Sequence, residues 1–200
     1  MKIITNLLRA NLRCVFLDRD GVINRKPPEG RYIGRWEDFH LLPGVEAAIA
    51  TLNRQGLRVI VVSNQRGIAL AHYTSADIEA IHARLQLHLT GYGARIDAFY
   101  FCPHDKGECN CRKPNPGLFE QAFRDFPDAE PNNSLMIGDS ISDIEAAQNL
   151  QMRSIFIEGD PLTRKAGADR AAALADAVTN SLAEAVRLLL QIKISSASTS

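Results

Sequence analysis

The sequence predicts an α/β fold built on a mainly parallel sheet. Short apolar runs rich in β-branched residues recur along the chain, and between them lie longer stretches whose apolar positions repeat at helical spacing. That alternation is what strand-helix-strand crossovers produce. Size agrees: 200 residues, 46% apolar and 23% charged, can bury one substantial core and match an ordinary globular composition.

Taken in order, the expected strands are Leu12 to Leu17, Leu57 to Val62, Ile96 to Phe101, Leu135 to Ile137 and Ser154 to Ile157. The expected helices are Val45 to Gln55, Ser75 to Leu89, Pro116 to Phe126 and Ser142 to Leu150. In the second of these, Ile78, Ile81, Leu85 and Leu89 share one face. Ser181 and Glu184 have the spacing of a capping box and open a last helix through Leu190. Two stretches break the rhythm. Asn24 to Pro43 is a long connection containing Pro27, Pro28, Gly30 and Gly34, long enough to act as a flap over a site. Phe101 to Pro114 is too rich in Cys, Pro, Gly and Asn to continue a strand or helix. The organisation expected is an N-terminal extension over 1–13, one domain over 14–192 and a small, polar, disordered tail over 193–200.

Charge narrows the function classes. With 23 Lys+Arg against 23 Asp+Glu, no global field draws the chain to nucleic acid or acidic lipid, so anion recognition must be local. The N-terminal stretch lacks the apolar core and cleavage pattern of a secretory signal, and no run is long enough for a membrane span. A cytoplasmic monomer acting on a small molecule is the expectation. Of four cysteines, Cys14 lies alone, whereas Cys102, Cys109 and Cys111 fall within ten residues beside His104. In a cytosolic chain that clustering favours metal over disulfides, and three thiolates with one imidazole form the Cys₃His set of a closed structural zinc site. Such an ion would fold a loop that lacks a core of its own.

The chemistry is read from residues that follow the strands. Asp18-Arg19-Asp20-Gly21 comes directly after the first apolar run, which places two carboxylates at the carboxyl end of a central strand, where open parallel sheets bind ligands. One ionised as nucleophile and the other protonated as general acid can divide the work of phosphoryl transfer. Ser63, Asn64 and Gln65 follow the second strand and offer a hydroxyl and amides to phosphoryl oxygens. Lys113 follows the cysteine loop and supplies a positive charge. Gly138-Asp139-Ser140 follows the fourth strand, with Asp143 one helical turn on. Each has a plain structural alternative: Ser63 as a turn residue, Lys113 as a solvated charge, Asp139 as a helix cap. Arg112 suits a second phosphate or a carboxylate on the substrate, or balances the thiolates. Arg66, Lys26 and Arg31 have the same two options, second phosphate or solvated loop charge.

Asp18-Arg19-Asp20-Gly21-Val22, Ser63-Asn64, Lys113 and Gly138-Asp139-Ser140-Ile141-Ser142-Asp143 resemble the four motifs of the haloacid dehalogenase superfamily phosphatases, over about Cys14 to Leu150. The resemblance implies a three-layer, Rossmann-like parallel sheet, a magnesium ion and two steps: Asp18 attacks phosphorus while Asp20 protonates the leaving oxygen, then Asp20 activates water. It also implies that Asp18, the main-chain carbonyl of Asp20 and Asp139 hold magnesium. Ser63 and Lys113 would bind phosphoryl oxygens, and Asp143 would orient Lys113 or water. Cys102-Pro103-His104 followed by Cys109-Asn110-Cys111-Arg112-Lys113-Pro114 is similar to the branch containing heptose bisphosphate and histidinol phosphate phosphatases. That branch implies little or no cap domain, a zinc-stapled loop, a sugar bisphosphate as the first-choice substrate and a product that feeds surface glycan assembly. Asn64, Gln65, Arg66 and Arg112 are the residues expected to bind that substrate. The chain departs from the branch at Arg66, at Leu70-Ala71 and in the length of Lys26 to Arg35.

Overall fold

The computed structural model describes residues 12–28, 30–159 and 166–197. Apart from Leu12 and Arg13, the expected N-terminal extension lies outside the described residues. Six parallel strands occur among them: β1 (Cys14–Leu17), β2 (Arg58–Asn64), β3 (Ala98–Cys102), β4 (Ser134–Gly138), β5 (Arg153–Ile157) and β6 (Ala177–Thr179). Their order is β3-β2-β1-β4-β5-β6. Helices α1 (Val45–Arg54), α2 (Ser75–Thr90), α3 (Gly117–Asp125), α4 (Ile141–Asn149), α5 (Ala168–Leu174) and α6 (Leu182–Ala197) cover its two faces.

Alternation along the strands divides the core. Val15 and Leu17 of β1 share one cluster with Val59, Val61, Leu135, Ile137 and the apolar stripes of α1, α2 and α6. Cys14 and Phe16 face the other way, with Ile60, Val62, Met136 and the stripes of α3 and α4. Phe16 meets Phe119 and Phe123 edge-on, at 5.1 Å and 5.5 Å between ring centroids. Because both faces are covered, the central strands read as unbroken apolar runs, and all four residues of β1 are fully buried. β1 lies between β2 and β4, so the chain crosses sides there and opens a crevice beyond the carboxyl ends of β1 and β4.

The long connection after β1 is tied down rather than loose. Arg25 N donates to His40 O at 2.7 Å, Leu42 N donates to Ile23 O at 2.9 Å, and Ile33 and Phe39 are buried in the core. Its outer part, with Arg31 and Tyr32, borders an open cleft shared with His72 and Tyr73. No separate cap domain interrupts the described residues. Two elements go beyond the sequence expectation: α5, and the three-residue edge strand β6. The last helix runs to Ala197, past Leu190 and into the segment expected to be disordered; residues 198–200 lie outside the described residues. No helix among the described residues is long and apolar enough to cross a membrane.

Candidate active site

Lys113 is the hub of the site. Its ammonium, almost fully buried, donates to Asp18 Oδ1 at 2.8 Å and to Val62 O at 2.6 Å, and pairs with Asp143 Oδ1 at 2.6 Å. Its main chain is bracketed by the Asn64 amide: Lys113 N donates to Asn64 Oδ1 at 3.0 Å, and Asn64 Nδ2 donates to Lys113 O at 3.1 Å. Asp143 has a double task. Its other oxygen accepts from Ser140 N at 3.0 Å and Ser140 Oγ at 2.6 Å, capping α4.

Asp18 and Asp139 follow β1 and β4, which pair directly, and Asp18 N donates to Ile137 O at 3.0 Å. Gly21 makes their approach possible. Its φ is +100°, and a Cβ there would lie 2.1 Å from Asp139 Oδ2, so only glycine leaves that carboxylate its place. Burial pushes the Asp18 carboxyl up; Lys113 opposes this, while Asp143 and Asp139 add to it, and the result is about 7. Burial alone would lower Lys113, but the two carboxylates outweigh it and raise the ammonium's pKa, keeping it charged.

Asp20 differs from the protonated acid the sequence suggests. Burial favours its neutral form, yet Arg19, Asn24 and Gln65 outweigh burial and hold it below the usual carboxylate range. Arg19 Nη2 donates to both oxygens, at 3.0 Å and 2.9 Å, and Asn24 Nδ2 donates to Oδ1 at 2.8 Å. Gln65 is likewise engaged inside the protein: Nε2 donates to Ser63 Oγ at 2.7 Å and reaches Asp20 Oδ2 at 3.3 Å, while Oε1 accepts from Tyr73 OH at 2.7 Å. The sequence suggests Asn64 and Gln65 as substrate-binding residues; in the structure their side chains hold Lys113, Ser63 and Asp20.

The cysteine loop gathers as expected. Cys102 Sγ lies 3.4 Å from Cys109 Sγ and 3.1 Å from Cys111 Sγ; Cys109 and Cys111 are 3.3 Å apart. His104 Nδ1 is 3.3 Å from Cys111 Sγ and 3.7 Å from Cys102 Sγ. These separations are too long for a disulfide and bring four donors together on the scale of one tetrahedral ion, whose roughly 2.3 Å bonds to sulfur would spread its ligands to about 3.8 Å. Arg112, next to the lysine, donates to His104 O at 3.4 Å. Arg66 closes the loop onto the end of β2 through a two-point pair with Asp105, at 2.5 Å and 3.0 Å.

This geometry has counterparts. A family model described as HAD-hydrolase-like matches residues 110–185. A D-glycero-α-D-manno-heptose-1,7-bisphosphate 7-phosphatase of Mycobacterium bovis is 44% identical over 138 residues, 68% of this chain and 72% of that one. The corresponding β-anomer enzyme of Vibrio cholerae is 34% identical over 189 residues, 90% of this chain and 97% of that one. The crystal structure of D,D-heptose 1,7-bisphosphate phosphatase from B. bronchiseptica complexed with magnesium and phosphate superposes with a TM-score of 0.78 at 28% identity, covering 90% of this chain and 99% of that one. The chain belongs to the haloacid dehalogenase superfamily phosphatases.

Within that family frame the donor set suits a hard cation. Asp18, Asp139 and Asp143 each bring an oxygen within 4.8 Å of the others. Since both Asp143 oxygens are engaged by Ser140 and Lys113, Asp18 and Asp139 are the carboxylates left for an ion. A cation already sits there, because the Lys26 ammonium pairs with Asp139 Oδ2. Sequence reasoning missed the partners of Asp20, namely Arg19 and Asn24, and the partners Tyr73 and Asp105. Arg19 and Asn24 had a signal in their closeness to Asp20, one and four residues away. Of the four proposed second-phosphate contacts, Lys26 is on Asp139, Arg66 is on Asp105, Arg112 is on the His104 carbonyl and Arg31 borders the cleft.

Proposed function

We propose that this phosphatase removes the 7-phosphate of D-glycero-D-manno-heptose 1,7-bisphosphate, with magnesium at Asp18, Asp139 and the Asp20 main-chain carbonyl and zinc in the Cys102, His104, Cys109 and Cys111 cluster. The observation that carries this reading is the convergence of Asp18, Asp143 and the Val62 carbonyl on the Lys113 ammonium, two residues from the cysteine cluster. Support for the sugar comes from the heptose phosphatases to which the chain is similar. Higher identity to the α-anomer enzyme favours the α anomer.

In the first step Asp18 forms a bond to phosphorus as the sugar oxygen leaves, giving an aspartyl-phosphate. Lys113 fixes the Asp18 carboxylate and balances charge on the phosphoryl oxygens, with Ser63 beside it. Bound magnesium supplies further charge neutralisation on those oxygens. Asp20 rests as a carboxylate on Arg19. An incoming phosphate dianion raises its proton affinity, so it takes a proton from solvent as the substrate binds and passes it to the leaving oxygen. Ionised again, it accepts a proton from the water that hydrolyses the intermediate. Arg112 is available for the second phosphate. A charge-neutral chain with reduced, metal-clustered thiols fits a cytoplasmic monomer that acts on a small metabolite.

Phosphate release from the α and β heptose 1,7-bisphosphates and from histidinol phosphate tests the assignment. The expected result is a kcat/KM for the α heptose at least tenfold above that for histidinol phosphate. A preference for histidinol phosphate would overturn the substrate while leaving the phosphatase chemistry in place.

A further inference from the structure

Lys26 has no place in the mechanism above, and yet its ammonium is seated on Asp139 Oδ2 with both side chains less than a tenth exposed. Nothing about the neighbouring backbone leaves this to chance. Asn24 forms bridges to Asp20 and to Leu41, Arg25 N is held by His40 O, and Pro27 and Pro28 restrict the chain immediately after Lys26. The anchor therefore stands at the rim, and the four-carbon stem delivers a positive charge to the carboxylate assigned to magnesium. Asp139 also lies against Gly21, where a Cβ would meet its Oδ2, so it has little room to turn away from that charge.

We infer that Lys26 is a built-in counter-cation that competes with the divalent ion for Asp139. The inference rests on the magnesium reading of the site. With no metal bound, the ammonium keeps Asp139 from facing Asp18 and Asp143 uncompensated. The ammonium opposes metal entry at Asp139, because a second positive charge on the same, mostly buried carboxylate is strongly repelled by the first. The chain thereby gives up affinity for the ion and gains a metal-free site that stays assembled.

The test is titration of Mn²⁺, followed by the electron paramagnetic resonance of the free ion, into zinc-loaded protein and its Lys26→Met and Lys26→Gln variants, with melting curves in parallel. Both variants should bind Mn²⁺ at least tenfold more tightly than the parent. Their metal-free melting temperatures should fall, and the rise on adding metal should be larger. Equal or weaker binding in folded variants overturns the role of Lys26 while leaving the magnesium site intact. If parent and variants all fail to bind the ion, the magnesium reading falls and the inference falls with it. Asp139→Asn should bind weakly whatever stands at position 26, and undiminished binding there overturns both.

Discussion

At the residue scale the site is governed by one ammonium among carboxylates. Removing it strands Asp18 and Asp143, both largely buried, without their cation. Lys113→Met is therefore expected to cost about 3 kcal/mol in urea denaturation and to eliminate measurable turnover. Asp18→Asn acts differently: turnover should vanish while the fold persists, and substantial residual activity would remove the nucleophile assignment. The pH dependence follows from the Asp18 carboxyl, raised from 3.8 to about 7. Between these values the folded state binds more protons than the unfolded chain, so the stabilisation is complete below about pH 4 and is lost as pH rises through about 7. His82, whose burial lowers it to about 3, contributes the opposite slope below about pH 6.5. Without added magnesium, the parent's melting temperature should therefore fall relative to that of Asp18→Asn from about pH 5 to about pH 8; a constant difference would show that Asp18 does not titrate there. Asp18 and Lys113 were legible as motif residues that follow the strands. Lys26 on Asp139 was not, because the two are 113 positions apart and no local spacing records such a meeting.

At the scale of elements, two loops do the positioning. The turn after β1 depends on Gly21, where a new Cβ would collide with Asp139. Gly21→Ala should lower stability by about 2 kcal/mol and weaken divalent ion binding, as a titration would show. The cysteine loop leads straight into Lys113. On the proposed zinc reading, a chelator should therefore abolish activity that returns with zinc and not with magnesium alone; full activity in a zinc-free sample would separate the loop from catalysis. Strands β1, β2 and β4 were readable because burial on both faces demands continuous apolar runs. Edge strand β6 offers only Ala177, Val178 and Thr179, with Val178 exposed, and three residues cannot display a period. The long connection after β1 looked like a flap because its prolines and glycines are visible in sequence, whereas the burial of Ile33 and Phe39 that pins it comes from tertiary packing.

On the scale of the whole molecule, a parallel sheet covered on both faces holds the rim rigid. Phe16 lies at the centre of one layer against Phe119 and Phe123. Phe16→Ala should cost about 3–5 kcal/mol, while Leu87→Ala on the exposed side of α2 should stay within about 0.5 kcal/mol; denaturation of the two variants compares them. The three-layer arrangement follows from the alternation of strand and helix patterns, so it could be read early. The division of labour at the rim is a matter of which amide or guanidinium faces which carboxylate, and that is decided only when the layers close.

The grip on Lys113 has a practical corollary. Its charge is held by groups from β1, the end of β2 and the first turn of α4, so loosening any one of the three should silence the whole population of catalytic centres rather than dull it. In partial denaturant, turnover and helical circular dichroism should decline along a single curve, which would make a colorimetric assay a faithful gauge of how much intact protein a preparation contains.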